Sequence, residues 1–205
     1  RESASAQTLP FEAVEPEKTW TLDIGGGAVY GFTPGGDDPN SVNTIPWGAF
    51  SYRDRLYANG LDGVGYNIIK RSDLRAGVQL RPAYSVESTL EGLDSPDLGA
   101  DAAVYAFRAL PGNFVVGGRI AHDVTGVSDG TSFFASLSRQ DVTRVGLLQT
   151  TLYGRGADQG RAQAYLGVSE TASLESGIDA FDADGGLHAV GAAALLMVPL
   201  GDRFG

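Results

Sequence analysis

From Trp20 onward, hydrophobic and polar residues alternate along the chain with a period of two. Trp20, Leu22, Ile24, Ala28 and Tyr30 fall on one face of an extended segment, and Thr21, Asp23, Gly25 and Gly27 fall on the other. The pattern recurs. Ala76, Val78, Leu80 and Tyr84 alternate with Gly77, Gln79 and Arg81, and Phe114, Val116 and Ile120 alternate with Val115, Gly117, Arg119 and Ala121. Ala162, Ala164, Leu166 and Val168 alternate with Arg161, Gln163, Tyr165 and Gly167. In each case one face is apolar, and the other carries polar, charged or small residues.

This periodicity predicts strands over 20–31, 44–58, 62–71, 74–86, 98–110, 113–123, 131–140, 142–154, 160–170 and 186–200. Each has the length that a tilted membrane-crossing strand needs. Asn59-Gly60, Arg71-Ser72-Asp73 and Pro111-Gly112-Asn113 read as tight turns, while 35–43 and 173–186 read as longer, acidic, glycine-rich connections. No stretch has a helical period. Residues 1–18 lack a sustained period and read as a mobile N-terminal arm, leaving 19–205 as one β unit.

Composition supports strands over helices. The 205 residues include 29 Gly, 9 Pro and a single Met. With no cysteine, disulfides, thiolate metal sites and thiol nucleophiles are excluded. A formal charge of -10 argues against nucleic acid as a partner, because phosphate binding needs a basic footprint. The longest apolar run, from Ala189 to Leu200, is interrupted by Gly191 and Pro199 and falls short of a spanning helix. Mean hydropathy is -0.07, a value shared by soluble proteins and by barrels that hide polar side chains in a lumen. The chain opens without an apolar leader, so export implies that a signal peptide has already been removed.

Alternation of this kind fits either a soluble β-sandwich binding module or an antiparallel transmembrane β-barrel. Two features favour the barrel. The non-apolar faces are rich in Gly and Ala with Arg and Gln interspersed, whereas a solvent face would carry Lys, which occurs only at positions 18 and 70. Trp20, Tyr30, Phe32, Trp47, Tyr57, Tyr105, Phe107 and Tyr153 lie near strand ends and suggest interfacial aromatic girdles. A barrel would turn Asp23, Gln79, Arg81, Arg119, Arg161, Gln163 and Tyr165 towards its lumen. Such residues either pass small solutes through a narrow channel or pair into a packed plug, and their mixed signs favour the plug.

The order of local motifs resembles the MipA/OmpV (MltA-interacting protein) family of outer-membrane β-barrels, over residues 20–205. The motifs are the glycine-rich strand Trp20 to Gly31, the Gly35-Gly36-Asp37-Asp38 loop, Ile45-Pro46-Trp47, Tyr52-Arg53-Asp54 and Leu90-Glu91-Gly92-Leu93. They continue with His122 to Gly126, then Tyr165-Leu166-Gly167-Val168-Ser169, Ser176-Gly177 and Phe181-Asp182-Ala183-Asp184-Gly185-Gly186. The resemblance implies a Gram-negative cell-envelope protein in contact with outer-membrane lipid and lipopolysaccharide. It also implies a scaffold role towards periplasmic peptidoglycan-processing hydrolases and synthases; related members are described as adhesins or stress-responsive proteins. Family members end on an amphipathic strand with a terminal aromatic, whereas this sequence stops at Asp202-Arg203-Phe204-Gly205, so a full barrel of about 12 strands is expected. With the ten segments above, strand alternation places the turns at 71–73 and 111–113 on the same side as the long segments 35–43 and 173–186. That arrangement conflicts with short periplasmic turns and implies a miscounted strand.

Candidate chemistry is sparse. Gly126-Val127-Ser128-Asp129-Gly130 matches the nucleophile-elbow pattern, but a strand-like segment follows where a helix is required. The only imidazoles are His122 and His188, too few for a zinc site without carboxylate help. Gly25-Gly26-Gly27 lacks the third glycine and the helix of a dinucleotide fingerprint. Asp37, Asp38, Asp179, Asp182 and Asp184 read as solvated acidic loops without EF-hand spacing. No enzyme activity, cofactor or metal is expected.

Overall fold

A computed structural model of the chain describes residues 19–30, 42–60, 62–83 and 96–197. Ten strands form one antiparallel sheet in chain order: β1 (Trp20–Tyr30), β2 (Val42–Tyr52), β3 (Leu56–Asn59), β4 (Gly63–Lys70), β5 (Leu74–Ala83), β6 (Gly99–Leu110), β7 (Phe114–Asp123), β8 (Thr131–Val142), β9 (Leu147–Ala157) and β10 (Gly186–Met197). Two short helices, α1 (Gln159–Leu166) and α2 (Glu170–Ser176), occupy the connection between β9 and β10. Among the described residues no ladder joins β1 to β10. The N-terminal arm and the barrel closure expected from the sequence lie outside the described residues.

Two predicted segments are corrected. The strand expected over 44–58 is a hairpin, β2 and β3, folded at Arg53 and Asp54, which take φ values of 51° and 55°. Successive left-handed residues are the habit of Asn-Gly, so an Arg-Asp pair gives no turn signal. The turn is held by the Arg55 N–H donating to the Tyr52 carbonyl (3.0 Å) and by Asn67 Nδ2 donating to the Asp54 carbonyl (3.0 Å). The strand expected over 160–170 is helix α1 and the start of α2. Asp158 caps α1 by accepting from the Arg161 N–H, Ser169 caps α2 by accepting from the Ala172 N–H, and Gly177 ends α2 at φ 74°.

These corrections restore sidedness. The short turns 53–55, 71–73, 111–113 and 143–146 all lie at one end of the sheet. Residues 31–41, 84–98, 124–130 and 158–185 connect strands at the other end, together with the short turn 60–62.

The packing is inside out. Val104, Ile120 and Leu152 on β6, β7 and β9 are 56%, 57% and 60% exposed, while Asn67, Gln79 and Asp101 are 3%, 6% and 0% exposed. In water this arrangement would forfeit the hydrophobic term and desolvate polar groups at once. In hydrocarbon it exposes what the solvent prefers and hides what it does not. A β-sandwich would cover these apolar side chains with a second layer, and the described residues form a single sheet.

The sheet curls around its polar face. Strands spaced about 4.8 Å apart would put β4 and β7 roughly 14 Å apart in a flat sheet. Yet Arg119 on β7 reaches Asp62, the residue before β4, at 3.4 Å, and the rings of Tyr57 on β3 and Tyr105 on β6 have centroids 6.4 Å apart. Four of the residues expected in an aromatic girdle therefore face inward. Tyr57 is 3% exposed, Tyr105 and Phe107 line the interior beside it, and Tyr153 stacks on Phe134. Glycines make room for these rings: a Cβ on Gly65 would sit 2.2 Å from the Tyr57 ring, and one on Gly77 would sit 2.6 Å from the Tyr105 hydroxyl. Trp20 is exposed, while Phe32 and the side chains of Tyr30 and Trp47 lie outside the described residues.

Candidate functional site

Two polar clusters lie inside the curl. The first surrounds a cleft of about 80 Å³ bounded by Tyr57, Asp62, Asn67, Gln79, Tyr105 and Arg119. Gln79 Nε2 donates to the Asp62 carbonyl (2.6 Å), the Asp62 N–H donates to Asn59 Oδ1 (2.6 Å), and the Tyr105 hydroxyl donates to Asn67 Oδ1 (2.7 Å). Arg119 pairs with the Asp62 carboxylate and lies over the Phe134 ring, 5.7 Å from its centroid. Asp62, in the turn between β3 and β4, thus gathers Asn59, Gln79 and Arg119, and Tyr105 joins β6 to Asn67 on β4, the pairing that burial in a low dielectric requires.

The second cluster closes the long-loop end. Asp101 on β6 stands in register with Arg81 on β5 and Asp123 on β7. Arg161 comes down from α1 to grip it, with Nη1 and Nη2 donating to the two carboxylate oxygens at 2.5 and 3.1 Å. This fork geometry suits guanidinium and carboxylate, and Asp101 is wholly buried beneath it. Asp123 organises loop 124–130: its oxygens accept from the N–H groups of Thr125, Ser128 and Asp129 at 2.8, 2.5 and 3.1 Å and from the hydroxyls of Thr125 and Ser128. Ser128 therefore belongs to a carboxylate-centred turn, and β8 follows it in place of the helix an elbow needs.

The β9–β10 connection is fastened at several points. Asp158 accepts from the Thr131 N–H (2.8 Å) as well as from that of Arg161. The Arg161 bond is the largest influence holding the Asp158 carboxyl below the usual carboxylate range, against a smaller opposing effect of burial. Its tie to the strands is accordingly present at neutral pH and is lost only as the pH falls through that lowered value. Gln163 Oε1 accepts from the Ala183 N–H (2.7 Å), and Ala162 and Ala183 are buried at 1% and 3% exposure. The Arg161 guanidinium also lies 4.7 Å from the Tyr165 ring centroid, and burial pushes the Tyr165 hydroxyl up. Among the described residues no group of three or more His, Asp or Glu side chains is gathered as for a metal ion.

Over residues 24–205 the sequence matches the family described as MltA-interacting protein MipA. The chain belongs to the MipA family. This is a family of outer-membrane proteins, and its name records interaction with MltA, a murein-processing enzyme. The MipA match runs from within β1 to the end of the chain and so includes both polar clusters and the helical connection. No curated protein and no solved structure matches the chain.

The sequence-predicted residues are distributed unevenly over this MipA fold. Gln79 and Arg119 meet in the first cluster, and Arg81 borders the second, its Nε buried without a hydrogen-bond partner. Arg161, Gln163 and Tyr165 lie on α1, not on a strand, and only Arg161 reaches an inward-facing strand residue. The side chain of Asp23 lies outside the described residues. Asp62, Asn67 and Asp101 carry no sequence-level expectation, and Tyr105, expected in the interfacial girdle, lies in the interior. The available signal was the alternation of Asp101, Ala103, Tyr105 and Phe107 against Ala102, Val104 and Ala106 along β6.

Proposed function

We propose that this chain is a non-enzymatic outer-membrane scaffold, sealed by its own side chains, that engages murein-processing proteins through its short turns. The observation that carries this reading is an interior occupied by the Arg119–Asp62 and Arg161–Asp101 ion pairs and by aromatic rings, and capped by a helical connection pinned at Asp101. Between the described side chains of the first cluster the cleft is about 80 Å³, room for a few ordered waters, which supports the plug reading over the narrow channel. Barrels of this class keep short turns in the periplasm and long loops outside, so 53–55, 71–73, 111–113 and 143–146 face the murein layer. The long connections and the apolar outer face then meet lipopolysaccharide and lipid.

Photo-crosslinking from single positions tests this reading in cells. A crosslinker at Ser72 or Asn113 is expected to capture MltA, and one at Leu174 in α2 is not. Adducts from Leu174 alone, or none from the turns of a correctly inserted protein, would refute it. So would steady single-channel conductance in planar bilayers.

A further inference from the structure

Charge is segregated along the barrel axis, and the segregation opposes the overall balance. The four short turns, with four residues on either side of each, contain eight of the 15 Lys and Arg residues but only three of the 25 Asp and Glu residues. That end carries an excess of five positive charges in a chain whose formal charge is -10. The connection 158–185 at the opposite end carries six carboxylates and one arginine.

Two of the three carboxylates at the basic end are already shared, and the third, Asp141, pairs with Arg139 at 3.0 Å. Asp54 faces both Lys70 and Arg75, at 3.1 and 3.8 Å, and Asp73 faces both Arg71 and Arg108, at 3.2 and 3.9 Å. Arg71 and Arg108 nonetheless keep 67% and 65% of their side chains exposed, and Arg144 is exposed at the tip of the last turn. Successive turns are two strands apart, about 10 Å, so the cations form a row along the rim and not a single pocket.

We propose that this rim binds the murein polymer itself, through the carboxylates of its stem peptides. The row matches an extended, hydrated polyanion. A folded acidic protein is less suited, because stable protein interfaces desolvate an apolar centre, and Val145 is the only large apolar residue among the tips of the four turns. Anionic lipid headgroups would be met by the strand-borne Arg108 and Arg139. Arg53, Arg71 and Arg144 project from the turns beyond the strand ends, away from the bilayer. The inference rests on the short turns facing the periplasm, as in the scaffold reading, but not on contact with MltA.

The test is co-sedimentation of the purified protein, held in nanodiscs of zwitterionic lipid, with isolated sacculi. Parent protein is expected to pellet with native sacculi and to lose affinity at least about tenfold when the sacculus carboxyls are amidated. The triple variant Arg53→Gln, Arg71→Gln, Arg144→Gln, confined to the cations that project from the turns, should show the same loss. The matching Arg→Lys triple should bind like the parent, and Arg155→Gln, outside the basic rim, should change nothing. Heat-modifiable migration on gels shows that each variant is folded; if the Gln triple fails this check, the amidated sacculi decide alone. Equal pelleting with native and amidated sacculi overturns the proposal, as does absence of pelleting by the parent or full binding by a folded Gln triple. Binding of the rim to anionic vesicles but not to sacculi assigns it to lipid and overturns the proposal too. MltA crosslinks can persist or vanish independently, so failure here and failure of the scaffold reading are separate results.

Discussion

Replacing Asp101 with alanine is expected to lower the unfolding free energy by about 3 kcal/mol, the scale for removing one partner of a buried ion pair. Asp101 is 0% exposed and Arg161 only 13%, so the guanidinium left behind is a largely desolvated charge that has lost its carboxylate. The expected cost sits at the low end of that scale because Arg161 rides on a connection between strands. It can swing out and recover hydration by giving up the contacts of α1. Urea titration of the protein refolded into lipid vesicles measures the loss, and protease cleavage within 158–185 should appear at the same time. The apolar double variant Asp101→Leu, Arg161→Met should regain most of the stability, since neither charge is then stranded. A change below about 1 kcal/mol for Asp101→Ala would place the pair in the class of ordinary surface bridges and remove the pin from the account.

A larger effect is expected from a single methyl group at Gly77. A Cβ there would stand 2.1 Å from the Tyr66 carbonyl oxygen and 2.6 Å from the Tyr105 hydroxyl. The carbonyl belongs to the β4–β5 ladder, and Tyr105 is tied to Asn67 and packed edge-on against Tyr57, so neither neighbour can yield cheaply. Overpacking in a well-filled core costs about 1–3 kcal/mol, and a clash with backbone lies at or beyond the top of that range. Gly77→Ala is therefore expected to refold poorly and to lose heat-modifiable migration. Gly48→Ala, where nothing lies within 4 Å of the added carbon, should stay within about 0.5 kcal/mol of the parent. Normal folding of Gly77→Ala would show that the aromatic rings do not pack against the sheet as described.

What was legible in the sequence followed the range of the physics. β6 and β7 could be read because alternation acts between adjacent residues, and Val116 and Ile120 face away from Arg119 and Ala121 as their order implies. The hairpin at Arg53-Asp54 could not, because tertiary contacts through Asn67 hold two non-glycine residues in a left-handed turn. Helix α1 was masked by composition: over eight residues, Ala162, Ala164 and Leu166 alternate as readily as they coil, and the decisive cue was the capping Asp158. The interior network was hidden for a different reason. Arg161 and Asp101 are 60 residues apart and Arg119 and Asp62 are 57 apart, so only the curl of the sheet brings each pair together.

The most direct test of the central claim uses the absence of native cysteine, which lets single cysteines be introduced without background labelling. Nitroxide labels would be placed at Val104, Val116 and Ile120 on the apolar face and at Ala103, Val115 and Ala121 on the buried one, in protein reconstituted into bilayers. The first three should collide readily with oxygen dissolved in the acyl chains and hardly at all with a water-soluble nickel chelate. The second three should be shielded from both. Strong nickel collisions at Val104, Val116 and Ile120, or equal shielding of the two sets, would mean that these side chains meet water or a second protein layer, and would contradict a sheet whose apolar face is solvated by lipid.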